Sequence, residues 1–166
     1  LSEYGFGCSI LTDSKYGGST FGNTMRISLL RAPMSPDKTA DRGKHTFAYA
    51  LYPHAGGWRE AGTVAESFRF NQPLRFAATQ INSFASIDDA NVVIDTIKQA
   101  EDSDATVIRL YECHGARGQA KLKVNRAFKK ATLCNVLEDE TGKATIEDGH
   151  VVIDYAPYKI ITVKLA

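Results

Sequence analysis

From residue 83 to the end, short runs of alternating apolar residues recur about every ten positions, and turn-forming residues separate them. The candidate strands are residues 83–87, 92–98, 106–112, 120–124, 131–137, 144–146, 151–155 and 159–165. Side chains in a strand point alternately to its two faces, so each run offers one apolar face to a core. Glu101 to Asp104, Gly115 to Gly118, Glu140 to Gly142 and Asp148-Gly149 fill the gaps as turns. Asp148-Gly149, set between Ile146 and Val151, predicts a tight hairpin. Strands this short and this closely spaced leave no room for helical crossovers. The fold they allow is an antiparallel sandwich.

The first half also reads as strands, with one helix. Residues 5–12 form a strand with Phe6, Cys8 and Ile10 on one face. A glycine-rich turn over residues 15–22 leads to a second strand, 24–30, in which Met25, Ile27 and Leu29 share a side. Residues 46–52 form a third strand. Residues 57–68 carry Trp58, Ala61, Val64, Ala65 and Phe68 at helical spacing. That register makes the lone tryptophan a packing residue before a sugar platform. Asn71, Gln72 and Pro73 close this region, and residues 74–83 connect two sub-domains. Arg31 stands at the end of the second strand, just ahead of Pro33 and Pro36, which cannot donate to a sheet ladder. A cation held between an apolar sheet face and a stiff loop suits carboxylate pairing or contact with sugar hydroxyls.

Charge and composition exclude several classes. The 166 residues carry 20 basic and 19 acidic side chains, a net charge of +1, which argues against nucleic acid or an anionic membrane as main partner. No apolar run reaches the ~20 residues of a membrane span. Cys8, Cys113 and Cys134 are odd in number and widely separated, so they do not form a disulfide framework. Those cysteines and the lack of any Asn-x-Ser/Thr acceptor point to a reducing, non-secretory compartment; no signal peptide is seen. The chain starts without Met and enters a strand within a few residues, as a piece of a longer polypeptide would.

The usual signatures of chemistry are missing from the sequence. His45, His54, His114 and His150 fall on separate elements without metal-ligand spacing. No nucleophile elbow, phosphate loop or dinucleotide motif occurs. Asp37 and Asp41 share one loop, and Asp in such positions caps turns or pairs with neighbours such as Arg31 and Lys38.

A family resemblance rests on particular residues. They are Asp13 to Gly17, Ser28 to Pro33, Pro36-Asp37, Thr39 to Asp41 and Tyr49 to His54. Further along come Glu60 to Gly62, Asn91 to Ile94, Lys98 to Ser103 and Arg109 to Glu112. In this order they resemble the C-terminal β region of glycoside hydrolase family 38, the α-mannosidases, in its cytosolic and vacuolar branch. The resemblance implies an all-β fold: residues 1–78 as the end of the large β-sandwich, with one short helix, and residues 79–166 as the small C-terminal one. It places the nucleophile and a divalent metal, zinc in the family, in an N-terminal catalytic barrel, so the catalytic and metal residues expected within this chain are none. It implies as partners that barrel, a mannose-containing oligosaccharide and further copies of the same subunit, in a cytoplasmic or vacuolar, lysosome-like compartment. Arg31 is the first candidate for the active-site rim, followed by Lys15, Tyr16 and Asp13 as substrate-binding residues. Two other readings stand beside this one: a carbohydrate-binding sandwich in its own right, and a pure assembly module. For Arg31 itself the alternative is an interdomain salt bridge.

Overall fold

The computed structural model describes residues 1–72 and 74–166. Pro73, expected to help close the helical region, lies outside the described residues. The chain divides into two compact units, Leu1–Phe76 and Ala77–Ala166.

The first unit holds β1 (Ser2–Glu3), β2 (Phe6–Thr12), β3 (Gly18–Phe21), β4 (Thr24–Ile27), β5 (Tyr49–Ala55) and α1 (Thr63–Asn71). β1, β2 and β5 form one antiparallel sheet with β2 in the middle, and β3 and β4 form a separate hairpin. Register puts Gly7, Ser9 and Leu11 opposite His54, Tyr52 and Ala50. These residues make one face, which α1 covers: Ser9 Oγ meets Thr63 Oγ1 at 3.2 Å, and Asn71 Nδ2 donates to the Thr12 carbonyl at 3.2 Å. Phe6, Cys8 and Ile10, with Ala55, Pro53 and Leu51 opposite them, make the other face. The apolar parity of β2 thus turns away from the helix. The covered side is lined by Gly7, Leu11 and His54 because the ring of His54 fills the space above Gly7.

Several boundaries differ from the sequence expectation. The second strand ends at Ile27, not residue 30, because its partner β3 begins at Gly18 opposite Ile27, so Arg31 lies beyond the strand rather than at its end. The helix starts at Thr63, not residue 57, because Gly62 takes a left-handed φ of 64° and breaks the run. Trp58 therefore lies in the turns that precede the helix. The third strand starts at Tyr49 because Asp13 Oδ2 accepts the Ala48 N–H at 2.8 Å. It continues through Pro53, which register explains. Cys8 exchanges both backbone hydrogen bonds with Leu1, so its β5 partner Pro53 points its nitrogen to the open edge, where no donor is needed.

The second unit holds β6 (Ala85–Ile87), β7 (Val92–Gln99), β8 (Thr106–Glu112), β9 (Gly118–Val124), β10 (Ala131–Cys134), β11 (Glu140–Lys143), β12 (Thr145–Glu147), β13 (His150–Tyr155) and β14 (Ile160–Leu165). Two antiparallel sheets form, in orders β11-β10-β14-β8-β7 and β12-β13-β9-β6. Ile108, Leu110 and Val163 of one sheet pack with Leu122, Val151 and Ile153 of the other, all with 1% exposure or less. The result is the antiparallel sandwich that the alternation predicts. Glu140 to Gly142, expected as a turn, is instead the edge strand β11, paired with β10 across a bulge. The Asp148-Gly149 hairpin forms, with φ of 49° and 76° at the two turn positions.

The units differ sharply in how much core they own. Among the described residues, Leu11 is the one apolar side chain of the first unit that is buried.

Candidate functional site

The segment after β4 is organised by short acidic side chains. Asp41 Oδ2 accepts the Ala32 N–H at 2.7 Å, and Ala32 has a left-handed φ of 49°. Asp37 Oδ1 accepts both the N–H and the hydroxyl of Thr39, at 2.8 and 2.7 Å. These bonds, the backbone one first, hold its carboxyl below the usual carboxylate range. Both aspartates thus act as local acceptors in the loop. Arg31 stands between β4 and this loop, exposed, and makes no ion pair among the described residues.

The turn before β3 is tied to the residues just ahead of β5. Asp13 accepts from Ser14 Oγ at 2.7 Å and from the Ala48 N–H at 2.8 Å, and these bonds, Ser14 first, lower its pKa. Lys15 donates its backbone N–H to Thr12 Oγ1 at 3.0 Å, while its ammonium lies 4.4 Å from the centroid of the Phe47 ring. Tyr16 is 90% exposed. The structure joins Asp13 to Ala48, just before β5, and Lys15 to Phe47. It shows no direct bond from either to Arg31 among the described residues.

A second polar cluster was not legible in the sequence. His54 Nδ1 lies 3.2 Å from the Gly56 carbonyl, which can only accept, so that nitrogen carries the proton. Nε2 is then an acceptor and takes the Ser9 hydroxyl at 3.1 Å. Ser9 in turn accepts from Thr63. The relay Thr63, Ser9, His54 joins β2, β5 and α1 across 54 positions of sequence, and it satisfies an imidazole that is 8% exposed. Its chemistry is that of a pin between sheet and helix.

In the second unit, Glu112 has 1% exposure and receives four backbone N–H groups. His114 and Ala116 donate to Oε1, both at 2.8 Å; Gly115 and Tyr158 donate to Oε2 at 2.9 and 2.8 Å. Burial alone would raise its pKa, but the four donors overcome this and bring it down to about 2. The signal for this residue was present: Ile108, Leu110 and Glu112 share parity, so the strand aims a carboxylate along its core face. Nearby, Tyr155 donates to Asp89 at 2.6 Å, and Asn91 Oδ1 meets His114 Nδ1 at 3.0 Å. On the opposite face of the five-stranded sheet, Glu138 pairs with Lys98 at 2.6 Å and with Arg109 at 3.8 Å.

Among the described residues no three His, Cys, Asp or Glu side chains converge on a point that could hold an ion. Among the described residues no helix is long and apolar enough to cross a membrane.

Two family models match in the order expected from the sequence. Residues 1–39 match the glycosyl hydrolases family 38 C-terminal domain, and residues 91–163 match the family 38 C-terminal beta sandwich domain. The chain belongs to glycoside hydrolase family 38, in its C-terminal β region. Its relatives within the family include alpha-mannosidase 2C1 of Homo sapiens, 39% identical over 177 residues that cover 99% of this chain and 17% of the relative. Alpha-mannosidase G of Dictyostelium discoideum is 34% identical over 176 residues, covering 99% of this chain and 16% of the relative. The alpha-mannosidase of Saccharomyces cerevisiae is 35% identical over 188 residues, covering 99% and 17%. The chain thus spans about a sixth of the length of the curated relatives it matches. Within family 38 the match to the beta sandwich model falls in the second unit, where the two-sheet core lies.

Proposed function

We propose that this chain is the non-catalytic C-terminal segment of a retaining α-mannosidase that removes terminal α-linked mannose from oligosaccharides. The carrying observation is the alignment of 99% of the chain with alpha-mannosidases at 34–39% identity. In this reading residues 1–78 end the large β-sandwich and residues 79–166 form the small one. Both buttress a catalytic barrel elsewhere in the polypeptide, which supplies the nucleophile and a zinc ion. The enzyme works as an oligomer in the cytosol or vacuole. The two separately organised units and the nearly coreless first unit support a buttressing role.

The same reading gives the loop after β4 a place at the active-site rim, with Arg31 as the contact to sugar oxygens and Lys15, Tyr16 and Asp13 behind it. Support comes from the exposure of Arg31 and Tyr16, and from a loop after β4 whose shape Asp37 and Asp41 fix internally. Those aspartates are used locally, which leaves the guanidinium fork available to a ligand. The test is Arg31→Ala in the full-length enzyme, assayed with a chromogenic α-mannoside. A hydrogen bond from a charged donor contributes about 1.5 kcal/mol or more, so kcat/KM falls at least about tenfold with the melting temperature unchanged. Unchanged kinetics removes Arg31 from the rim. Turnover by the purified 166-residue chain alone overturns the non-catalytic assignment.

A further inference from the structure

One end of the second unit carries two opposite charges that do not meet. Asp104, in the turn between β7 and β8, and Arg126, just past β9, line the same hollow of about 630 Å³. Among the described residues neither is in an ion pair. Each is held by one neighbour. Arg126 Nη1 donates to Thr106 Oγ1 at 2.6 Å, and Gln99 Nε2 donates to Asp104 Oδ1 at 3.0 Å. The other guanidinium nitrogens and Asp104 Oδ2 make no hydrogen bond among the described residues. Phe84, 39% exposed, lines the same hollow, and the Asn125 N–H fixes its carbonyl at 2.8 Å. Lys98 reaches it too, but its ammonium is paired with Glu101 and Glu138. The volume falls within the ~300–1,000 Å³ of small-molecule clefts.

The charges select the ligand. Arg126 attracts an anion that Asp104 repels, and Asp104 attracts a cation that Arg126 repels, so the hollow favours neither. A hydroxyl group suits both, because it accepts from the guanidinium and donates to the carboxylate. Arginine and aspartate each present a planar fork, which matches two hydroxyls on neighbouring carbons. The Phe84 ring beside them offers a flat apolar surface to a C–H face. We propose that this hollow binds a neutral sugar, as a site for the mannose-containing oligosaccharide built by the second unit alone and using none of the rim residues. The choice of a sugar among polyhydroxylated ligands rests on the mannosidase reading; the two unpaired charges do not depend on it.

Photoaffinity labelling of the full-length enzyme tests it, with a diazirine-bearing α-mannoside as probe and peptide mapping by mass spectrometry. Label is expected at Phe84, Gln99, Asp104 or Arg126, on peptides distinct from those of the rim. Excess methyl α-mannoside should compete it away at about 1–10 mM, the affinity range of a ligand that small. Arg126→Ala and Asp104→Asn, both at exposed positions, should each lower this labelling at least about tenfold. Turnover of a chromogenic α-mannoside should stay unchanged in both variants. Absence of competed label at the hollow overturns the proposal, as does label that either substitution leaves unchanged. A fall in turnover also overturns it, by placing these residues in the reaction itself. Stronger competition by inorganic phosphate would assign the hollow to an anion, and by N-acetylalanine methylamide to a peptide; either result overturns the sugar. The turnover assay keeps the two readings apart. Activity without label at the hollow sinks the sugar site alone, and label without activity sinks the assigned reaction alone.

Discussion

Replacing Glu112 by Gln tests the carboxylate that holds one end of the small sandwich together. The change keeps shape and volume but swaps an acceptor oxygen for an NH₂ group. Each oxygen of Glu112 takes two backbone N–H groups, from His114 and Ala116 on one side and from Gly115 and Tyr158 on the other. Whichever way the amide turns, two buried N–H donors face another donor. Leaving a buried donor unpaired costs about 1–3 kcal/mol, so the pair costs about 2–6 kcal/mol. The lowered pKa, which the same four hydrogen bonds cause, points to a loss of similar size. Its fall from 4.5 to about 2 makes the charged form favoured in the fold by about 3 kcal/mol, at about 1.4 kcal/mol per pH unit. A domain of this size has only roughly 5–13 kcal/mol in total, so the loss is large. Because the folded pKa lies below the unfolded one, the stabilisation is complete above about 4.5 and disappears as pH falls toward about 2. The assay is urea unfolding of the 166-residue chain by far-ultraviolet circular dichroism. Trp58, the only tryptophan, reports the first unit by fluorescence, so the transition it does not follow belongs to the second. Glu112→Gln is expected to weaken that transition by about 3 kcal/mol at pH 7, with the gap to the parent closing between pH 4.5 and 2. A variant within 1 kcal/mol of the parent at pH 7, or a gap unchanged at pH 2, refutes the reasoning.

Two glycines give further tests. A Cβ on Gly7 would lie 2.3 Å from Cε1 of His54, so Gly7→Ala displaces the ring and breaks the Ser9 hydrogen bond; the first-unit transition, read by Trp58 fluorescence, should lose about 1–3 kcal/mol. A Cβ on Gly118 would lie 2.6 Å from the Tyr155 hydroxyl, so Gly118→Ala pushes it off Asp89. The second-unit transition should weaken by a similar amount, and the raised pKa of Tyr155, caused first by the Asp89 hydrogen bond, should fall in a spectrophotometric titration.

Alternation alone located almost every strand of the second unit, because both faces of each strand have fixed partners there, core on one side and water on the other. It missed β11, whose residues are all exposed and carry no apolar row. In the first unit the same rule assigned strands and grouped Phe6, Cys8 and Ile10 on one face, but it did not tell which face the helix covers. Phe6, Cys8 and Ile10 are apolar yet face away from α1, and Gly7 and Ser9 line the covered side because His54 and Thr63 reach them there. The family could be read from linear order because its matching segments are continuous. The relay from Thr63 through Ser9 to His54 could not, since its members come from three elements.

Residue order by itself established the all-β class, the hairpin at Asp148-Gly149 and the kinship with family 38, since side-chain period, turn chemistry and motif order are properties of neighbours along the chain. Only the folded structure decided that Glu112 holds a charge in the core, that Asp37 and Asp41 spend their oxygens on their own loop, and that one sheet face is left open. Those outcomes depend on which distant donors and surfaces arrive at a point, and hydrogen bonding and burial are set by that arrival in space.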